Sequence, residues 1–99
     1  MNAVFEALAH PTRRAILEML KQGSRTAGEL ADAFDVSKPT MSAHFAKLRE
    51  AGLIHADPRG TTILYSINLS LLEEVMLGFM DRVGIGAAAG GTEKGEGTA

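Results

Sequence analysis

The sequence predicts a mainly α (α+β) fold in the order α-α-α-α-β-β-α, and three observations carry that prediction. Apolar residues recur at helical spacing in four successive stretches before Gly52. A single β-rich stretch with a Pro-Gly turn inside it follows. An apolar heptad then runs to Val83.

Taken in order, Val4, Phe5 and Leu8 share one side of a short N-terminal helix. His10-Pro11-Thr12 ends it and begins the next, with Pro11 suited to a first helical position. Ile16, Met19 and Leu20 line the buried face of this second helix, and Gly23 closes it. Arg13 and Arg14 stand in its first turn, where the helix dipole disfavours cations, so they call for an acid or a phosphate as partner, or for solvent.

Thr26 to Gly52, TAGELADAFDVSKPTMSAHFAKLREAG, is the stretch the rest serves. Thr26 and Glu29 form a capping box that starts a third helix, in which Leu30 and Phe34 are the apolar pair. Asp35 and Val36 make the turn. Ser37 offers the next N-cap, and Pro39 sits in the first turn, where its missing N–H costs little. Met41, Phe45 and Leu48 form the buried stripe of the fourth helix, and Gly52 stops it. Two short helices with so tight a turn read as a helix-turn-helix.

Steps of about 100° from Met41 point Thr40, Ser42, Ala43, Ala46 and Lys47 outward, with His44 at the edge of that face. Small, hydroxylic and cationic side chains suit a helix that enters a major groove about 12 Å wide. Between Ser37 and Ala51 the charges are Lys38, Lys47 and Arg49 against Glu50 alone. An ordinary solvated helix would carry a more even mixture of acids and bases.

Beyond Gly52, Leu53 to Ala56 reads as a strand, Asp57-Pro58-Arg59-Gly60 as a turn, and Thr61 to Ile67 as a second strand with Ile63, Tyr65 and Ile67 on one face. Directly after a helix-turn-helix, such a hairpin makes a wing. Arg59 at its tip could reach a phosphate or the minor groove. Asn68 or Ser70 can cap the last helix. Its seam, Leu69, Leu72, Met76, Phe79 and Val83, is joined by Leu71, Val75, Leu77 and Met80. A helix apolar nearly all round should be covered on two sides, one of them by a second copy of the chain. Residues 84–99 are Gly-rich and poor in large apolar side chains, which predicts a disordered tail after a single domain spanning 1–83.

Composition narrows the function. Ninety-nine residues allow one small domain, whose modest core would gain from a dimer interface. The absence of cysteine removes disulfides, thiolate metal sites and cysteine nucleophiles. No apolar run suggests a membrane span and no signal peptide opens the sequence, so the expected compartment is the cytoplasm. The formal net charge is −2, but residues 10–68 hold eight Lys/Arg against six Asp/Glu, and residues 69–99 hold two against five. The acid is concentrated outside the helix-turn-helix. So small a positive excess predicts two reading heads on one duplex. His10, His44 and His55 fall in three different elements, without the convergence a zinc site needs. No Ser/His/Asp arrangement and no phosphate-cradling glycine loop is present. The expectation is a DNA-binding protein that is not an enzyme, with no catalytic residue, cofactor or metal. The alternatives are a winged helix used for protein docking, or a metal- or ligand-responsive repressor with a non-standard site. A docking face would expose aromatics, and the outward positions carry none.

FEALAHPTRRAILEML, SKPTMSAHFAKLREAGLI and RGTTILYSI together resemble the ArsR/SmtB family of bacterial winged-helix repressors, and within it the cysteine-free autorepressors. The resemblance spans residues 4–83. It implies a homodimer joined through the first and last helices, with Phe5, Leu8, Leu72, Met76, Phe79 and Val83 at the interface. It implies an operator of approximate two-fold symmetry, possessed in the simplest case by the protein's own promoter. By position, Thr40, Ser42, Ala43 and His44 would read the DNA, with Lys38, Lys47 and Arg59 near its backbone. The family's metal sensors place thiolates in the first helix of the helix-turn-helix, or histidines and acids on the last helix. Here residues 26–32 have no cysteine, and the last helix has Glu73, Glu74 and Asp81 but no histidine.

Overall fold

The computed structural model describes residues 1–85, so the expected tail lies outside the described residues apart from Gly84 and Ile85. The elements are α1 (Asn2–Leu8), α2 (Pro11–Lys21), β1 (Arg25–Thr26), α3 (Ala27–Asp32), α4 (Lys38–Glu50), β2 (Ile54–Arg59), β3 (Thr62–Ile67) and α5 (Leu69–Val83). They fall into two compact units, Met1–Leu69 and the segment from Ser70 onward. The order matches the sequence expectation except for β1. This two-residue strand pairs antiparallel with β3 and makes a three-stranded sheet in the order β1-β3-β2.

Local chemistry sets the helix ends of the first unit. His10 caps α2, its Nδ1 accepting the Thr12 N–H at 3.1 Å, and Pro11 takes the first helical position. At the end of α4, Gly52 adopts φ +80° and closes a Schellman motif. The Gly52 N–H donates to the Arg49 carbonyl at 2.9 Å and the Leu53 N–H to the Leu48 carbonyl at 3.0 Å. Leu48 and Leu53, brought together there, are both closed to solvent.

The core of this unit draws on every helix and on the sheet: Val4 and Ala7; Ile16, Leu17 and Leu20; Leu30; Met41, Phe45 and Leu48; Leu53, Ile54 and Tyr65. Burying a side chain of this size is worth roughly 1.5–3 kcal/mol before the entropy of ordering it is subtracted. The sequence reading placed Met19 in this set. It is only partly buried, and Leu17 takes the place, because the inward face of α2 is centred between Ile16, Leu17 and Leu20. In the second unit α5 buries Val75, half-buries Leu72, Met76 and Met80, and leaves Leu77 and Val83 more than half exposed. Gly84, at φ +78°, ends it, with the Ile85 N–H donating to the Met80 carbonyl at 2.7 Å.

Candidate nucleic-acid interface

The helix-turn-helix is built by two caps. Thr26 Oγ1 accepts the Glu29 N–H at 3.1 Å, and Glu29 Oε1 accepts the Thr26 N–H at 2.8 Å, completing the expected capping box. The Thr26 N–H, and secondarily its hydroxyl, hold the Glu29 carboxyl below the usual carboxylate range. Thr26 is also the last residue of β1, paired with Leu64, so the start of α3 is tied to the sheet. Ser37 caps α4: its Oγ accepts the Thr40 N–H at 3.3 Å and donates to Thr40 Oγ1 at 2.9 Å. The Thr40 hydroxyl, occupied as an acceptor, keeps its own O–H for an outside acceptor.

Along α4, Met41, His44, Phe45 and Leu48 are buried, and Lys38, Thr40, Ser42, Ala43, Ala46 and Lys47 are exposed. The face expected to meet DNA is therefore open, with one correction. His44, expected at its edge, is only 6% exposed and faces inward. Its Nδ1 lies 3.2 Å from Arg13 Nη1, and its ring stacks at a tilt on His10 with centroids 4.5 Å apart. The spacing carries the reason: His44 stands three residues after Met41 and four before Leu48, which is the core face of the helix.

The wing is present, but its turn is shifted. β2 continues through Asp57 and Pro58 to Arg59, which pairs with Thr62, so the connection is Gly60-Thr61. Gly60, at φ +61°, supplies the left-handed conformation that a two-residue hairpin requires. Pro58 is tolerated because β2 is an edge strand, where a missing N–H on the open side breaks no ladder bond. Arg59 consequently lies at the end of a strand. Its Nε donates to Asp57 Oδ2 at 2.8 Å, and both side chains are more than half exposed. Behind the wing, Phe45 and Tyr65 stack with centroids 4.7 Å apart, joining α4 to β3. Asn68 Nδ2 donates to the Gly52 carbonyl at 2.9 Å, tying the end of β3 to the end of α4.

The paired arginines of α2 find a partner of a kind the sequence reading did not weigh. Arg13 Nε donates to the Ala7 carbonyl at 2.8 Å and Nη2 to the Glu6 carbonyl at 3.0 Å, while Arg14 Nη1 donates to the Leu8 carbonyl at 2.7 Å. These carbonyls end α1, where a helix presents unpaired acceptors and the negative pole of its dipole. The unfavourable start of one helix is offset by the favourable end of another.

Among the described residues, no three His, Cys, Asp or Glu side chains come together in a way that could hold a metal ion. The three histidines divide as His10 with His44, and His55 exposed on β2. No helix among the described residues is long and apolar enough to cross a membrane.

Comparison with known proteins agrees with this geometry. Residues 8–56 match a helix-turn-helix domain model. The chain is 42% identical over 85 residues to the transcriptional repressor SdpR of Bacillus subtilis (strain 168), covering 83% of this chain and 94% of that protein. It is 40% identical over 67 residues to the HTH-type transcriptional regulator Rv2034 of Mycobacterium tuberculosis, covering 68% of this chain and 63% of that one. Among solved structures, an ArsR family transcriptional regulator superposes with a TM-score of 0.76 at 33% identity, covering 82% of this chain and 89% of that chain. On its motifs, its fold and these relatives, the chain belongs to the ArsR/SmtB family of winged helix-turn-helix transcriptional repressors.

Proposed function

We propose that the protein is a homodimeric repressor that binds a near-palindromic operator, with the promoter of its own gene as the first candidate. The observation that carries this reading is the outer face of α4, where Lys38, Thr40, Ser42, Ala43 and Lys47 are exposed opposite a continuous buried stripe. Ser42 and Ala43 are small enough to approach base edges, Thr40 keeps a free hydroxyl proton, and the two lysines suit phosphates. Arg59 on the wing adds a cation for the adjacent backbone or minor groove. His44 is left out of this set.

The dimer reading is supported by apolar side chains that one copy leaves partly or largely exposed. Phe5 and Leu8 of α1 are partly buried, as are Leu72 and Met76 of α5, and Phe79 and Val83 are 45% and 53% exposed. A repressor of this kind acts by occupying its operator, has no catalytic step, and works where the DNA is, in the cytoplasm. It has no dedicated metal site, since the sensor positions lack the thiolate and histidine ligands.

An electrophoretic shift assay with duplex from upstream of the gene, against a scrambled duplex of equal length, tests the proposal. A retarded complex on the first at protein concentrations that leave the second free is expected, unchanged by micromolar zinc. Equal retardation of both would sink the operator reading, and a zinc-induced loss reversed by a chelator would overturn metal independence.

A further inference from the structure

One guanidinium holds the reading helix from behind. Besides its bonds to the Ala7 and Glu6 carbonyls of α1, Arg13 directs Nη1 at Nδ1 of His44, 3.2 Å away on α4. Arginine has donors only, so His44 must present Nδ1 as an acceptor and carry its ring proton on Nε2. His10 is constrained in the same way, because its Nδ1 accepts the Thr12 N–H that caps α2. The arrangement thus needs both stacked rings neutral, with three basic side chains gathered in one place.

We propose that His10, Arg13 and His44 form a proton-sensitive latch, in which Arg13 and His44 position the reading helix on the α1–α2 corner and protonation of His44 releases it. A proton on Nδ1 would set donor against donor at the Arg13 contact and place a second cation beside the guanidinium. It would do so where solvent reaches only 6% of the side chain. The consequence for DNA rests on the reading of α4 given above; the latch itself does not.

The groups that touch the His44 ring, Arg13 and His10, are both basic. The helix that carries His44, α4, packs on α1, α2 and β2. The other titratable or charged groups there are Glu6 and the terminal amine on α1; Arg14, Glu18 and Lys21 on α2; His55, Asp57 and Arg59 on β2; and Lys38, Lys47, Arg49 and Glu50 on α4. All are exposed. Burial first, then His10 and Arg13, push the His44 imidazolium toward losing its proton, below the ordinary histidine value. The unfolded chain, free of these effects, takes up the proton first as pH falls. Stability is therefore full above the ordinary histidine range, declines as pH drops through it, and levels only once the folded His44 is itself charged.

The test is nitrogen NMR of the imidazoles in the full chain from about pH 7.5 to about pH 5.5, the window in which histidine changes charge, with melting curves over the same range. At neutral pH His44 should show a bare Nδ1, and its midpoint should fall below that of the same ring in the urea-unfolded chain. The melting temperature should drop on acidification, and His44→Gln, which keeps an acceptor but cannot titrate, should drop less. If that variant does not fold, Arg13→Lys, which keeps the charge but loses the fork, should shift the His44 midpoint instead. Retention of the upstream duplex should weaken across the window, and by less in His44→Gln. A proton on Nδ1 at neutral pH, a His44 midpoint at or above the unfolded one, or a variant that melts in step with the parent would overturn the latch. Tighter DNA binding in acid that depends on His44 would overturn release in favour of direct phosphate contact. Failure to bind DNA at any pH would count against the operator reading alone, with the NMR and melting results still deciding the latch.

Discussion

Lys47 and Ser42 are both exposed on α4, yet their lengths and positions give them different tasks. Lys47 is long, cationic and lies in the last turns, where it suits a phosphate. Lys47→Ala should weaken binding to all duplexes alike and make the salt dependence shallower by about one counterion per head. Thr40 and Ser42 stand in the early turns, where a helix-turn-helix sets side chains against base edges. Thr40→Ala and Ser42→Ala should reduce preference for the operator by about 1–3 kcal/mol at the affected base pair. Affinities for operator and scrambled duplexes at several salt concentrations decide between these. An operator preference removed by Lys47→Ala and left intact by the other two would refute the assignment. Thr40 also serves the Ser37 cap, so its variant needs a melting curve beside the binding data. At this scale most of the candidate site was legible, because exposure on a helix follows from its period. His44 was not. A histidine on a core face looks like a groove contact until its partners are known, and those come from residues 31 and 34 positions earlier in the chain.

Among the elements, the helix caps could be read from the sequence because capping chemistry is local. Thr26 with Glu29, Ser37, Pro11 and Gly52 all act where their spacing placed them. β1 could not be read, since a two-residue strand has no periodicity and exists through its pairing with Tyr65 and Leu64. The wing turn was misplaced by two residues for a related reason. Asp57-Pro58-Arg59-Gly60 has the composition of a turn, and only the ladder shows that its first three residues extend the edge strand. Gly78 offers a test at this scale. It lies inside α5, and a Cβ added there would meet nothing within 4 Å. Gly78→Ala should stabilise the protein by about 0.5–1 kcal/mol through backbone entropy, read from urea unfolding at constant slope. A loss of similar size would show that something outside the single chain approaches this glycine.

For the whole molecule the decisive question is assembly. The heptad spacing of α5 leaves Phe79 and Val83 about half exposed and Leu77 more so. Phe79→Glu should give a monomer in sedimentation equilibrium and abolish operator binding. Phe79 has contacts within its own chain, so Val83→Glu serves as the second variant, and circular dichroism should show that both remain folded. If both stay dimeric, the interface lies elsewhere.

The double membership of Thr26, last residue of β1 and cap of α3, has a consequence for how DNA sites are sorted. With Phe45 against Tyr65 and Asn68 on Gly52, it ties the wing to the helix-turn-helix at three points. If α4 and the wing meet DNA as proposed, they would measure a half-site with a fixed ruler. A site that offers the right bases but widens the gap between its major-groove and minor-groove features cannot be followed by flexing the wing. It can be followed only by bending the DNA, so sequences that resist bending should be rejected even where every contacted base is correct.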